Sequence, residues 1–316
     1  MVRLRWALPI LAALVLTAPS TAQEKAPNAP AAAASARAAP PAPPTHPPAH
    51  TVAPLTVTAP NKPDPKEVEA LAYRFVRALS EPSRMGQLSR WMTPPCAKAM
   101  GLPDAFDAFV VARIASLADE VGAPKAPSPC RTNDVLVVFT TEPQKLLDFI
   151  GRRRSELLGF HYAAQTKRLT TFRGPVQAWY VTATVAGRVH YIDEEFQPMP
   201  GGGAGSRLSA GLASAFEAVL VIVDASKIAG QPIGRIADDV AMLTLARSPV
   251  SQACRDLPTI LDALKPDCAS SAEIDGLTGS DLAYLKGLYS ANPTQFLNLQ
   301  KSDIAASVAH NLEGQH

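Results

Sequence analysis

The side chains able to do chemistry in this chain are scattered rather than grouped. Of its six histidines, His46 and His50 lie in a proline-rich stretch, His316 is terminal, and His161, His190 and His310 stand alone in sequence. His190 and Glu194 fall four apart on a strand pattern, with Asp193 between them, which is the nearest approach to a metal-ligating set. A charged, exposed hairpin edge is the ordinary use of such residues. Asp238 and Asp239 are adjacent on a helical pattern, where neighbours diverge by about 100° and do not converge on one reacting atom. They are expected to be solvated or to form ion pairs. Ser209 sits in Arg207-Leu208-Ser209-Ala210-Gly211, which lacks the first glycine of a nucleophile elbow. The cluster Gly201-Gly202-Gly203-Ala204-Gly205 lacks the Lys-Ser/Thr of a phosphate loop and does not join a strand to a helix, so it reads as a loop. No catalytic residue, metal ligand or cofactor is assigned on these residues.

The four cysteines, Cys96, Cys130, Cys254 and Cys268, carry a different chemistry. No two are spaced as Cys-x-x-Cys, and in an exported chain they read as two disulfides. Three pairings are open. Cys96 with Cys130 and Cys254 with Cys268 is favoured, because the second pair encloses a short loop containing a proline. In the chain-entropy account, closing a loop of about 15 residues is worth on the order of 3 kcal/mol.

Export is read from the start of the chain. Arg3 and Arg5 precede an apolar run over residues 6–18, and Ser20-Thr21-Ala22 supplies small residues for cleavage after Ala22. The apolar run is shorter than the roughly 20 residues a spanning helix needs, and no later run is long enough. No cysteine near the cleavage site is placed to take a lipid, so no membrane anchor is expected after cleavage. Residues 23–63 are rich in proline and alanine, as in Pro40-Pro41-Ala42-Pro43-Pro44, and offer little to bury; they are expected to be a disordered linker. Residues 64–316 are enough for one domain. The net charge of +2 gives no electrostatic reason to bind nucleic acid. The run Arg152-Arg153-Arg154 falls late in a helix, where cations suit the dipole.

The elements that position these residues are read from periodicity. Asp64-Pro65-Lys66-Glu67 starts a helix with apolar positions Val68, Leu71, Ala72, Phe75, Val76 and Leu79. A second helix runs over about 103–121 with Phe106, Phe109, Val110, Ile114, Leu117 and Val121 on its inner face. Residues 134–139 form a strand buried on both faces. Thr141 and Gln144 cap a helix bearing Leu146, Leu147, Ile150, Leu157 and Leu158. Strands follow over 176–184, 188–193 and 216–224, then a helix over 233–247. Thr278-Gly279-Ser280-Asp281 opens a further helix, and Ile304, Val308 and Leu312 mark the last. Helices and strands mix without regular alternation, so the fold class is α+β, a mixed sheet packed by several helices.

This order resembles that of zincin-type metallopeptidases, and of exported bacterial proteins similar to them. The resemblance is carried by Gln87-Leu88-Ser89-Arg90-Trp91 with Cys96, by residues 135–140 and 219–224, by residues 236–245, and by Leu277-Thr278-Gly279-Ser280-Asp281-Leu282. It implies a zincin-like plan in which the helix after the edge strand carries HExxH, two histidines on one helical face binding zinc and a glutamate activating its water. Here Ala237 and Ala241 stand at the histidine positions and Asp238 at the glutamate; shifting the register by one puts Asp238 and Met242 at the ligand positions. The implied metal chemistry is therefore lost. The expected function is a periplasmic or secreted, non-catalytic protein that binds a peptide, protein or cell-wall component or is structural. The alternative is a hydrolase with an unrecognised site.

Overall fold

The carboxyl of Asp64 accepts a hydrogen bond from Lys66 N at 3.0 Å and begins helix α1 (Pro65–Leu79), with Pro65 in the first turn, where its missing N–H costs nothing. The computed structural model describes residues 64–187, 189–193, 205 and 209–314. The expected leader and linker, Glu194, Arg207, Leu208 and most of the glycine cluster lie outside the described residues. After α1 come β1 (Ser89–Arg90), β2 (Ala97–Met100), α2 (Asp104–Glu120), β3 (Val135–Thr140), α3 (Pro143–Arg153) and the short helix α4 (Thr166–Leu169). The remainder is β4 (Val176–Ala186), β5 (Val189–Ile192), β6 (Ala213–Asp224), α5 (Ile233–Leu245), α6 (Ile260–Ala263), α7 (Gly279–Ser290) and α8 (Leu297–Glu313).

The described residues form one α+β domain around a six-stranded mixed sheet of order β2-β3-β6-β4-β5, with β1 pairing the first part of β6. β2, β3 and β6 run parallel; β4 and β5 are antiparallel to their neighbours. Strand alternation sorts the core into two layers. Val135, Val137, Phe139, Val219, Val221 and Val223 point to the side of α1, α2, α5, α6, α7 and α8. Leu136, Val138, Leu220, Ile222 and Trp179 point to the other side, where α3 and the 3₁₀ turn at Ser155–Leu158 cover them. Each such fully buried aliphatic side chain contributes about 1.5–3 kcal/mol by leaving water.

Three local readings change. α2 forms, but Phe106 and Phe109 are 46% and 44% exposed. This helix meets the core through the narrower stripe Val110, Ile114, Leu117 and Ala118, because it lies at the flank beside β2 and α5. The cap expected from Thr141 and Gln144 is not made: Glu142 holds the N-cap position, and Gln144 reaches Asp148 and Thr170 O instead. Its helix stops at Arg153, so Leu157 and Leu158 pack from the following turn.

Two disulfides close the fold, Cys96–Cys130 with Cα atoms 5.6 Å apart and Cys254–Cys268 at 5.5 Å, consistent with an oxidising compartment. Among the described residues no helix is long and apolar enough to cross a membrane.

Candidate functional site

On α5, Asp238 and Asp239 diverge as adjacent helical residues must. Asp238 accepts from Arg113 of α2 and from Leu277 N at 3.1 Å, the ion pair expected of an acidic residue between packed helices. Asp239 is different and corrects the expectation of a solvated or ion-paired carboxyl. It is only 5% exposed, and no donor among the described residues lies within hydrogen-bond distance of it. Its side chain borders a hollow of about 70 Å³ between β4, α5 and the chain that follows α5. Val176 and Ala178 of β4, Leu243 one turn along α5, residues 248–252, and the cations Arg255 and Lys265 line it with Asp239.

Burial pushes the Asp239 carboxyl up from its ordinary 3.8 to about 7. Arg255 and Lys265 pull against this shift, while Asp281 and Asp262 add to it. The two cations both pair with Asp262, while Arg255 Nε is buried with no partner among the described residues. Asp262, 1% exposed at its side chain, accepts from the Arg255 guanidinium, from Arg255 N at 2.8 Å and from Lys265 Nζ at 2.8 Å. Burial works to raise the Asp262 carboxyl, but these donors outweigh it and the net shift is downward. When ionised, Asp239 is the third carboxylate, with Asp262 and Asp281, facing two cations. The Cys254–Cys268 disulfide pins both ends of the segment that carries this group.

The strand beside the hollow has unused backbone groups. Asp224 N donates to Pro175 O at 2.8 Å, so by the alternation of an antiparallel ladder Gln177, Trp179 and Val181 bond to β6. Val176, Ala178 and Tyr180 then aim their N–H and C=O groups the other way. β5 meets only Ala183–Ala186, with Asp193 N reaching Thr182 O at 2.9 Å, so among the described residues no strand pairs with β4 below Thr182. Val176 and Ala178 are half-buried, and both line the hollow. Tyr180 is buried, its hydroxyl donating to Leu243 O at 3.0 Å.

The other candidates of the sequence are not brought to this place. His190 Nδ1 lies 2.9 Å from Glu217 of β6, an exposed pair. Asp193 accepts from Thr182 and Thr184 and is buried at the end of the hairpin. The Ser209 hydroxyl donates to Thr294 O at 3.0 Å. His161 lies 2.8 Å from Gly159 O, and His310 is in the last turn of α8. Ala237, Ala241 and Met242 are fully buried against the core. Among the described residues no three histidine, cysteine or acidic side chains gather where a metal ion would fit.

Sequence reasoning passed over Arg255, Asp262 and Lys265. The one signal for them is the Asp262 and Lys265 spacing of three beside the cysteine loop. No protein-family model matches the chain, and neither a curated protein nor a solved structure matches it.

Proposed function

We propose that this is an exported, non-catalytic binding domain that captures an extended polypeptide segment by adding it as a strand to the open edge of β4. The observation that carries the reading is the pair Val176 and Ala178, which line the hollow, pair with no strand on their outer side among the described residues, and lie beside a buried carboxyl that has no donor among those residues. Exposed edges are normally covered or charged, because they recruit other strands. Strand addition uses such main-chain groups for affinity and side-chain pockets for selectivity. The hollow, at about 70 Å³, is far below the several hundred Å³ of a typical small-molecule site and suits a single side chain.

The resemblance of the element order to a zincin-like plan suits the same reading. An antiparallel strand lies beside α5, the helix that would carry the metal ligands, and Ala237, Asp238 and Ala241 stand where zinc chemistry would need histidine and glutamate. The leader over residues 1–22 and the two disulfides suit a periplasmic or secreted protein. A hydrolase is the second reading, favoured by the burial of Asp239, which pushes its carboxyl up to about 7, where it is suited to proton transfer. Against it, Asp262 is held by two cations, Asp281 already accepts from Thr259, Ile260 N and Thr278, and the Ser248 hydroxyl donates to Leu79 O at 2.9 Å.

The test uses the full exported chain and a display library of random 12-residue peptides, followed by amide hydrogen exchange with an enriched peptide. Slowed exchange at Val176 and Ala178, with Gln177 and Trp179 unchanged, is the expected result. A bound peptide that leaves the first two amides fast, or a library that yields no binder, overturns strand addition. Cleavage of bound peptides that disappears in D239N would replace it with the hydrolase reading.

A further inference from the structure

The hollow beside Asp239 has a sidedness, a size and a charge balance, and together these name the kind of residue it takes. Residues directly opposite one another in a sheet put their side chains on the same face. Ala178 and Val176 point to the α5 side, packing against the core formed with that helix. A residue of an added strand lying opposite either one therefore points its side chain toward α5 as well, into the hollow and toward Asp239. The space of about 70 Å³ accepts a small side chain and excludes an aromatic or long one.

Charge narrows the choice. The groups facing Asp239 are Arg255 from the connecting chain, Asp262 and Lys265 around α6, and Asp281 from α7; the β4 wall contributes no charge. Asp281 already accepts from Thr259, Ile260 N and Thr278. With Asp239 ionised, three carboxylates (Asp239, Asp262 and Asp281) face the two cations Arg255 and Lys265, so charge alone does not exclude a lysine or arginine; their length does, in a space of about 70 Å³. An incoming carboxylate meets Asp239 itself. Among the described residues, Asp239 has no donor.

We propose that this hollow is a side-chain subsite for serine or threonine on the strand added to β4, with the ligand hydroxyl donating to the Asp239 carboxylate. The proposal rests on the strand-addition reading given above. Threonine is the better fit of the two, since a β-branched residue suits an extended chain. Donation to the ionised carboxyl favours that form, so binding tightens as pH rises through the range where Asp239 titrates, near 7, and weakens below it.

The peptides enriched from the same library supply the test. One position carrying serine or threonine is expected. Replacing that threonine by valine in a synthetic peptide should weaken binding to the full chain by roughly tenfold at pH 8, the scale of a hydrogen bond to a charged acceptor. Wild-type affinity should fall several-fold between pH 8 and pH 5.5, and this fall should vanish in D239N. Peptides that slow Val176 and Ala178 exchange but carry lysine, arginine or a large apolar residue at that position leave strand addition standing and overturn the subsite. So does a threonine-to-valine change without effect. If no peptide slows those amides, both readings fall.

Discussion

Asp281 at the start of α7 and Asp239 in the middle of α5 are both buried, and close enough for each charge to influence the other. Asp281 is fully buried and accepts from Thr259 Oγ1, Ile260 N at 2.8 Å, and both the backbone and the hydroxyl of Thr278 at 3.0 Å. It closes a capping box and ties α6 to α7. Asp239 accepts from nothing among the described residues and faces a hollow. Burial raises both carboxyls above their ordinary value, but only one of them has donors that repay its desolvation. The contrast separates a carboxyl that holds the fold together from one left available to a ligand.

Removing the structural member should have the largest effect. D281A strands the Ile260 and Thr278 amides and the Thr259 hydroxyl in the interior, and a loss of about 4 kcal/mol in urea unfolding at pH 7 is expected. A loss below about 1 kcal/mol would erase the distinction. D239N should act in the opposite direction. Asp239 is raised in the folded state, so the fold binds more protons than the unfolded chain between about 4 and 7, and stability falls as pH rises through that window. The amide removes this penalty, so D239N should be more stable than wild type by up to about 4 kcal/mol at pH 8 and little different at pH 4. Equal or lower stability at pH 8 would mean that Arg255 or Lys265 holds the charge. The smallest change, Thr259→Val, takes one donor from Asp281 and should cost about 1 kcal/mol. It should leave the pH dependence attributed to Asp239 intact.

The structural member was legible in sequence and the available one was not. Thr278 and Asp281 lie three apart, and their reciprocal bonds are local, so a capping box can be read directly. The stripe of α1 and the doubly buried β3 are legible for the same reason: their periods are written in consecutive residues. Asp239 differs from Asp238 only by which side of α5 it occupies. That side is decided by β4, some sixty residues earlier, and by the disulfide-pinned segment after the helix, neither of which leaves a mark at positions 238 and 239. β1 and β2 escaped for a related reason, since strands of 2 and 4 residues are defined by their partners rather than by a pattern of their own. Phe106 and Phe109 fit a helical stripe, yet only the arc of α2 that meets α5 and β2 is covered, and periodicity does not give the width of that arc.

The account turns on the state of Asp239, and a carbon-detected NMR titration of its side-chain carboxyl, assigned by comparison with D239N, reads that state directly. A midpoint near 7 in the unliganded full chain is the predicted result. A midpoint below 4 would contradict it, because the carboxyl would then be hydrated or already held by a cation, and the hollow beside β4 would have nothing left to offer a ligand.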